Sequence, residues 1–161
     1  MSGKINIRRG FLADWTGLAD VFHRAVNEGA GLYTAIQCAV WSPASRAGAD
    51  WSLRMSRQSV MLAETQQGPV GFISSELNGY FDCAYILKAY QGRRLFRKLY
   101  EPLEAEQRDR EVGRLYVHAS LHAGPAFAKM GFHIVRPETV KMTTEAHDDV
   151  WLPRFLMEKH L

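Results

Sequence analysis

Tyr80-Phe81-Asp82-Cys83-Ala84-Tyr85-Ile86-Leu87-Lys88-Ala89-Tyr90-Gln91-Gly92-Arg93-Arg94-Leu95-Phe96-Arg97 is the segment on which the fold turns. Its first part, Tyr80 to Leu87, is apolar and aromatic apart from Asp82, and Asn78-Gly79 just ahead of it supplies a turn, so it reads as a strand. A loop follows. Leu95, Leu99 and Leu103 then recur at four-residue spacing beside Phe96 and Tyr100, which predicts a helix that Pro102 should kink. A strand that feeds a helix through a short loop presents unpaired backbone N–H groups at the helix start, and these together with the helix dipole cradle phosphate. Arg93, Arg94 and Arg97 add charge-assisted donors. A basic helix start is more often a solvated surface, so the segment does not decide the matter alone.

Working outward, Arg114 to Ala119 alternates through Leu115 and Val117 as a strand, which makes Tyr80 to Ala119 a parallel β-α-β crossover. Ligands of such sheets bind beyond the carboxyl ends of the central strands. Upstream, Ser59 to Glu64 and Val70 to Glu76 flank a Gln66-Gln67-Gly68-Pro69 turn, giving an antiparallel meander with Tyr80 to Leu87. Ile5 and Ile7 open a strand, Asp14 is placed to cap a helix, and Leu18, Val21, Phe22, Ala25 and Val26 line one helical face. Residues 27–58 read as helical, broken at Pro43 and Gly48. Downstream, Ala123 to Met130 is a short helix ended by Gly131, Phe132 to Thr143 is extended with a break at Pro137, and Leu152 to Lys159 is a last strand. The class is a mixed α/β sheet, and with no repeat or linker the whole of 1–161 is expected to form one domain.

Composition narrows the function. At 161 residues, 47% apolar and 23% charged, the chain matches globular averages, and one core burying roughly two-thirds of the extended-chain surface is enough. Neither a secretory leader nor a run of roughly 18 apolar residues is present, and the two cysteines, Cys38 and Cys83, sit in apolar sequence as reduced thiols would. A cytoplasmic protein with no membrane partner is expected. The +3 net charge tolerates an anionic ligand. One short basic patch without interleaved exposed aromatics argues against nucleic acid, and His118 and His122, four apart across a strand end with no third ligand in view, argue against a metal site. Trp15, Trp41, Trp51 and Trp151 read as core or cleft wall.

The strand-loop-helix segment resembles the acyl-CoA loop of the GNAT superfamily, the GCN5-related N-acetyltransferases, whose pattern is Gln/Arg-x-x-Gly-x-Gly/Ala after a strand. Tyr85-Ile86 and Tyr90-Gln91-Gly92-Arg93 match it, while Arg94 and Phe96 stand where the pattern has small residues. A second resemblance follows at the expected distance in His118 to Phe132, which looks like the family's strand, short helix and Gly-Phe signature. Tyr33, Trp41 and the ending Phe155-x-Met157-Glu158-Lys159 look like a bacterial branch that acetylates small-molecule or peptide amines. The resemblance implies a mostly antiparallel sheet of six to seven strands with helices on both faces, acetyl-CoA as co-substrate without a metal, and the homodimers common among relatives. It implies cofactor contacts from Tyr85, Ile86, Leu87, Gln91, Gly92, Arg93, Arg94, Leu95, Phe96, Arg97 and Phe127. Arg94 either blocks the loop or supplies a compensating cation, since the first helical turn does not require positive φ; Phe96 can turn into the core beside Tyr100.

By the same resemblance, the acetyl group moves to an amine by direct attack in a ternary complex, with N–H groups near Ile86 and Leu87 on the thioester oxygen. An alkyl amine is neutral in only about one molecule per thousand at pH 7, so a base is needed. Asp82 is the first candidate, the sole carboxylate in an apolar strand, where burial raises a pKa; an arginine-paired carboxylate is the competing reading. Phe127 matches the family's acid tyrosine and has no proton to give, leaving Tyr33, Tyr85 or Ser120 as donors. Two function classes stay open: an active N-acetyltransferase, and a catalytically degenerate relative acting as an acyl-CoA sensor or protein-interaction module.

Overall fold

The computed structural model describes residues 3–29 and 31–161. Its strands are β1 Asn6–Arg9, β2 Ser59–Thr65, β3 Gly68–Ser75, β4 Tyr80–Ile86, β5 Arg114–Ser120, β6 His133–Met142 and β7 Val150–His160. Its helices are α1 Trp15–Glu28, α2 Ala35–Trp41, α3 Gly48–Ser56, α4 Leu95–Asp109 and α5 Gly124–Lys129. One seven-stranded sheet runs β1-β2-β3-β4-β5-β7-β6, antiparallel except for β4 against β5. The expected meander is β2-β3-β4, and its second turn depends on Gly79: φ is +93 there, and a Cβ would lie 2.2 Å from the Arg114 carbonyl oxygen.

The β4 strand carries a bulge that decides which side chains meet the site. Ser74 pairs with Cys83 but Ser75 with Phe81, so Asp82 is an extra residue and the alternation of faces is reset across it. Phe81 accordingly packs on Tyr100 of α4 and Phe127 of α5, with ring centroids 5.4 and 5.9 Å away. Tyr85, which unbroken alternation would put beside Phe81, instead meets Phe22 of α1 at 4.2 Å. Helices thus cover both faces of the sheet.

Two local expectations change. Pro137 does not break its strand: β6 is an edge strand, where a missing N–H faces solvent, and Pro137 stays in register with Phe155. Asp14 does not cap α1; its carboxylate accepts from both terminal nitrogens of Arg8 at 2.7 and 2.9 Å and from the Phe11 N–H at 3.0 Å, over a 3-10 turn. Pro102 lies inside α4 without ending it.

Candidate active site

The sheet opens where β4 and β5 part. Their pairing consists of Tyr80 with Tyr116 and Phe81 with Val117. Beyond it β4 stays on β3 as far as Ile86, and β5 stays on β7 as far as Ser120, so each strand follows its own half-sheet. The Leu87 N–H donates to the Val70 carbonyl at 2.9 Å and is therefore engaged, contrary to its expected part in holding a thioester oxygen. The two-residue alternation of an antiparallel ladder then turns the N–H groups of Ala84 and Ile86 toward the opening.

A cleft of about 850 Å³ occupies this opening between α1, α4 and α5, a size suited to a small-molecule ligand. Its charged wall is the start of α4. No side chain caps that helix, and since the Lys98 N–H is the first to reach a helical carbonyl, that of Arg94 at 3.3 Å, the N–H groups of Leu95, Phe96 and Arg97 have no helical partner. Gly92 has φ +78, and nothing lies within 4 Å of the place a Cβ would take, leaving room for a ligand against the backbone. Lys88, Arg94, Arg97 and Lys129 bring four cations to the wall. A diphosphate fits this set of donors and charges.

Several sequence-predicted residues take other places. Arg94 has φ +61, the left-handed region, so this position does demand what a glycine offers, against the expectation from the first helical turn. Arg93 stands outside the cleft with its guanidinium 5.3 Å from the Tyr90 ring centroid. Phe96 turns toward the core as expected, edge-on to Phe127 at 5.0 Å and beside Tyr100 at 6.4 Å, while still lining the cleft. Leu87 and Leu95 are buried, so only their main chain is available, and Phe127 is fully buried beneath the floor, a packing residue and not a surface for cofactor. Tyr85 and Ile86 line the cleft, while Gln91 does so and donates its amide to the Ile86 carbonyl at 3.0 Å. Lys129 escaped the sequence reading because a lone lysine in a short helix has no distinguishing pattern.

A narrow recess of about 40 Å³ continues from the cleft, sharing Trp41, Ala84, Tyr85, Ser120 and Ala123 with it and adding Asp82 and His118. Asp82 is not poised as expected. Burial pushes its pKa up, but Arg54 donates to both oxygens at 2.7 and 2.9 Å and Gln58 at 2.7 Å, and the sum holds the carboxyl below its usual range. The Tyr33 hydroxyl donates to the Pro153 carbonyl at 2.7 Å and accepts from the Leu121 N–H at 2.9 Å, so its proton is committed. Ser120 Oγ accepts from the Ala123 N–H at 3.0 Å and, among the described residues, donates to none, at the junction of the two cavities. His118, which sequence suggested only as a rejected metal ligand, faces the recess with Nδ1 2.8 Å from Glu138 Oε2. Its partner lies 20 residues away on another strand, which no local spacing could signal.

A mixed sheet split beside an uncapped, cation-flanked helix start is the arrangement of an acetyltransferase scaffold. The chain belongs to the family described as the acetyltransferase (GNAT) domain, which matches residues 30–148. It is 28% identical over 154 residues to the uncharacterized N-acetyltransferase YafP of Escherichia coli (strain K12), covering 95% of this chain and 94% of that one. A GCN5-related N-acetyltransferase structure from Rhodopseudomonas palustris is 29% identical with a TM-score of 0.84, covering 100% of this chain and 98% of that one. The fold is also that of yncA, a putative acetyltransferase from Salmonella typhimurium solved with its cofactor acetyl-CoA, at TM-score 0.66 and 18% identity over 99% of this chain and 95% of that one. Among the described residues no helix is long and apolar enough to cross a membrane.

Proposed function

We propose that the protein is an N-acetyltransferase that moves the acetyl group of acetyl-CoA directly to an amine held in the same complex. The observation that carries this reading is the parting of β4 and β5 after Phe81 and Val117 beside the uncapped start of α4. Acetyl-CoA supplies an activated thioester. The N–H groups of Leu95, Phe96 and Arg97, with Arg94, Arg97 and Lys129, bind its diphosphate, and Gly92 leaves the main chain accessible to it. The Ile86 N–H points into the opening and donates to the thioester oxygen as charge builds there, an interaction of the kind whose loss costs on the order of 3 kcal/mol of barrier. Ser120, whose hydroxyl donates to none of the described residues, serves the departing sulfur. The acceptor, a small-molecule or peptide amine, enters from the recess side.

Titration with acetyl-CoA tests the binding half. At about a hundredfold excess over Kd, ligand stabilises a fold by about 2.7 kcal/mol, which for a chain of this size raises Tm by roughly 5 to 10 °C. No shift at millimolar acetyl-CoA sinks the reading. Thiol release with a panel of primary amines tests the other half: a protein that is stabilised by acetyl-CoA yet releases no thiol with any amine is a sensor and not an enzyme.

A further inference from the structure

We infer that His118 is the base that takes the proton from the acceptor amine, and that Glu138 is the positioning residue that makes it one. The inference rests on the transferase reading above and names a proton acceptor for it. His118 is the first β5 residue past the last rung shared with β4, and its ring lines the recess that opens from the cleft. Nδ1 lies 2.8 Å from Oε2 of Glu138 on β6. Glu138 also accepts from Arg154 of β7 at 3.1 Å and from Arg136 at 3.1 Å, and although burial pushes its pKa up, His118 and Arg154 together hold it below the usual carboxylate range. An ionised carboxylate only accepts, so Nδ1 must carry the hydrogen, and the lone pair is left on Nε2. The tautomer thus follows from the partner.

The other groups around the ring do not compete. On β4, Tyr80 lies with its ring 6.0 Å from that of His118, and burial followed by the charge of Asp82 pushes its phenol up to about 12, so it stays protonated. Asp82 has both oxygens occupied by Arg54 and Gln58. Tyr116 of β5 packs tilted against Tyr80 with ring centroids 5.1 Å apart, and on β7 the residue opposite His118 is the apolar Leu156. In the step, an ammonium gives one proton to Nε2, and the freed lone pair forms the N–C bond to the thioester carbonyl carbon. The C–S bond breaks with its electrons to sulfur, which receives the second N–H proton by way of the Ser120 hydroxyl. The imidazolium returns its proton to water.

His118→Gln and Glu138→Gln test this, with two probe amines: a lysine-like alkyl amine of pKa about 10 and a peptide α-amine of about 8. Both variants should keep the wild-type Tm shift with acetyl-CoA. At pH 7, His118→Gln should lose about 10² to 10⁴ in kcat/KM with the alkyl amine and distinctly less with the α-amine, and the deficit should shrink as pH approaches 10, where the amine is already neutral. Glu138→Gln can donate to Nδ1, which moves the hydrogen to Nε2, so it should lose at least about tenfold with the same pH trend. Wild-type rates in both variants, or an equal loss with both amines at every pH, overturn the inference while leaving the transferase reading intact. A wild-type protein inactive with every amine instead overturns that reading itself.

Discussion

Arg94 carries a conflict within one residue. Its left-handed backbone costs a non-glycine residue about 1 to 2 kcal/mol, yet its guanidinium stands in the wall of the cleft. Arg94→Gly should therefore separate the two effects. Relief of strain, less the greater chain freedom of glycine when unfolded, should raise Tm by a few degrees in the absence of ligand, and acetyl-CoA should bind several-fold more weakly, as paired melting and titration curves would read. Equal or lower Tm would mean that the side chain makes contacts that outweigh its backbone strain. The sequence marked this position as a departure from pattern but not its conformation, because φ at a helix entry is set by how the incoming loop meets the sheet. Asp82 was legible in the same partial way. Its strand and its isolation among apolar neighbours were plain, whereas Arg54, which determines its charge state, lies 28 residues earlier.

That ion pair belongs to the scale of elements, because it fastens α3 to the bulge of β4. Asp82 has a depressed pKa in the fold, so its contribution is full above the unfolded value of about 3.9 and fades as pH falls through the lower folded value. With Arg54 partly solvated, Asp82→Asn should cost about 1 to 2 kcal/mol at pH 7 and flatten the loss of stability as pH falls below about 4. Urea melts across that range provide the check, and an unchanged acid slope would assign the effect to other carboxylates. Among the elements, the strands of the meander and the crossover were readable because alternation and turn residues act locally. Pro137 misled because a proline is tolerated or not according to the strand's place in the sheet, which only topology decides. Residues 27–58 showed two breakers and little period; there α2 and α3 are short, and only one buried residue, Val40, anchors α2.

At the scale of the molecule, the half-sheets β1-β2-β3-β4 and β5-β7-β6 meet at Tyr80 with Tyr116 and at Phe81 with Val117. The amides of Ala84 and Ile86 border the gap without a strand opposite, so in the ligand-free protein they should exchange with deuterium faster than those of Tyr85 and Leu87 on the paired side. Acetyl-CoA should slow them by at least about tenfold, and equal exchange on both sides of β4 would refute the assignment of its edges. Cleft and fold were thus legible together in one strand-loop-helix segment, while the recess, lined from α2, β4, β5 and α5 with Glu138 of β6 and Arg54 of α3 holding its polar side chains, was not. A sheet stapled by two rungs needs a splint, and the acyl donor is the natural one. On that view the ligand-free protein should be the form most readily proteolysed, and acetyl-CoA should protect it.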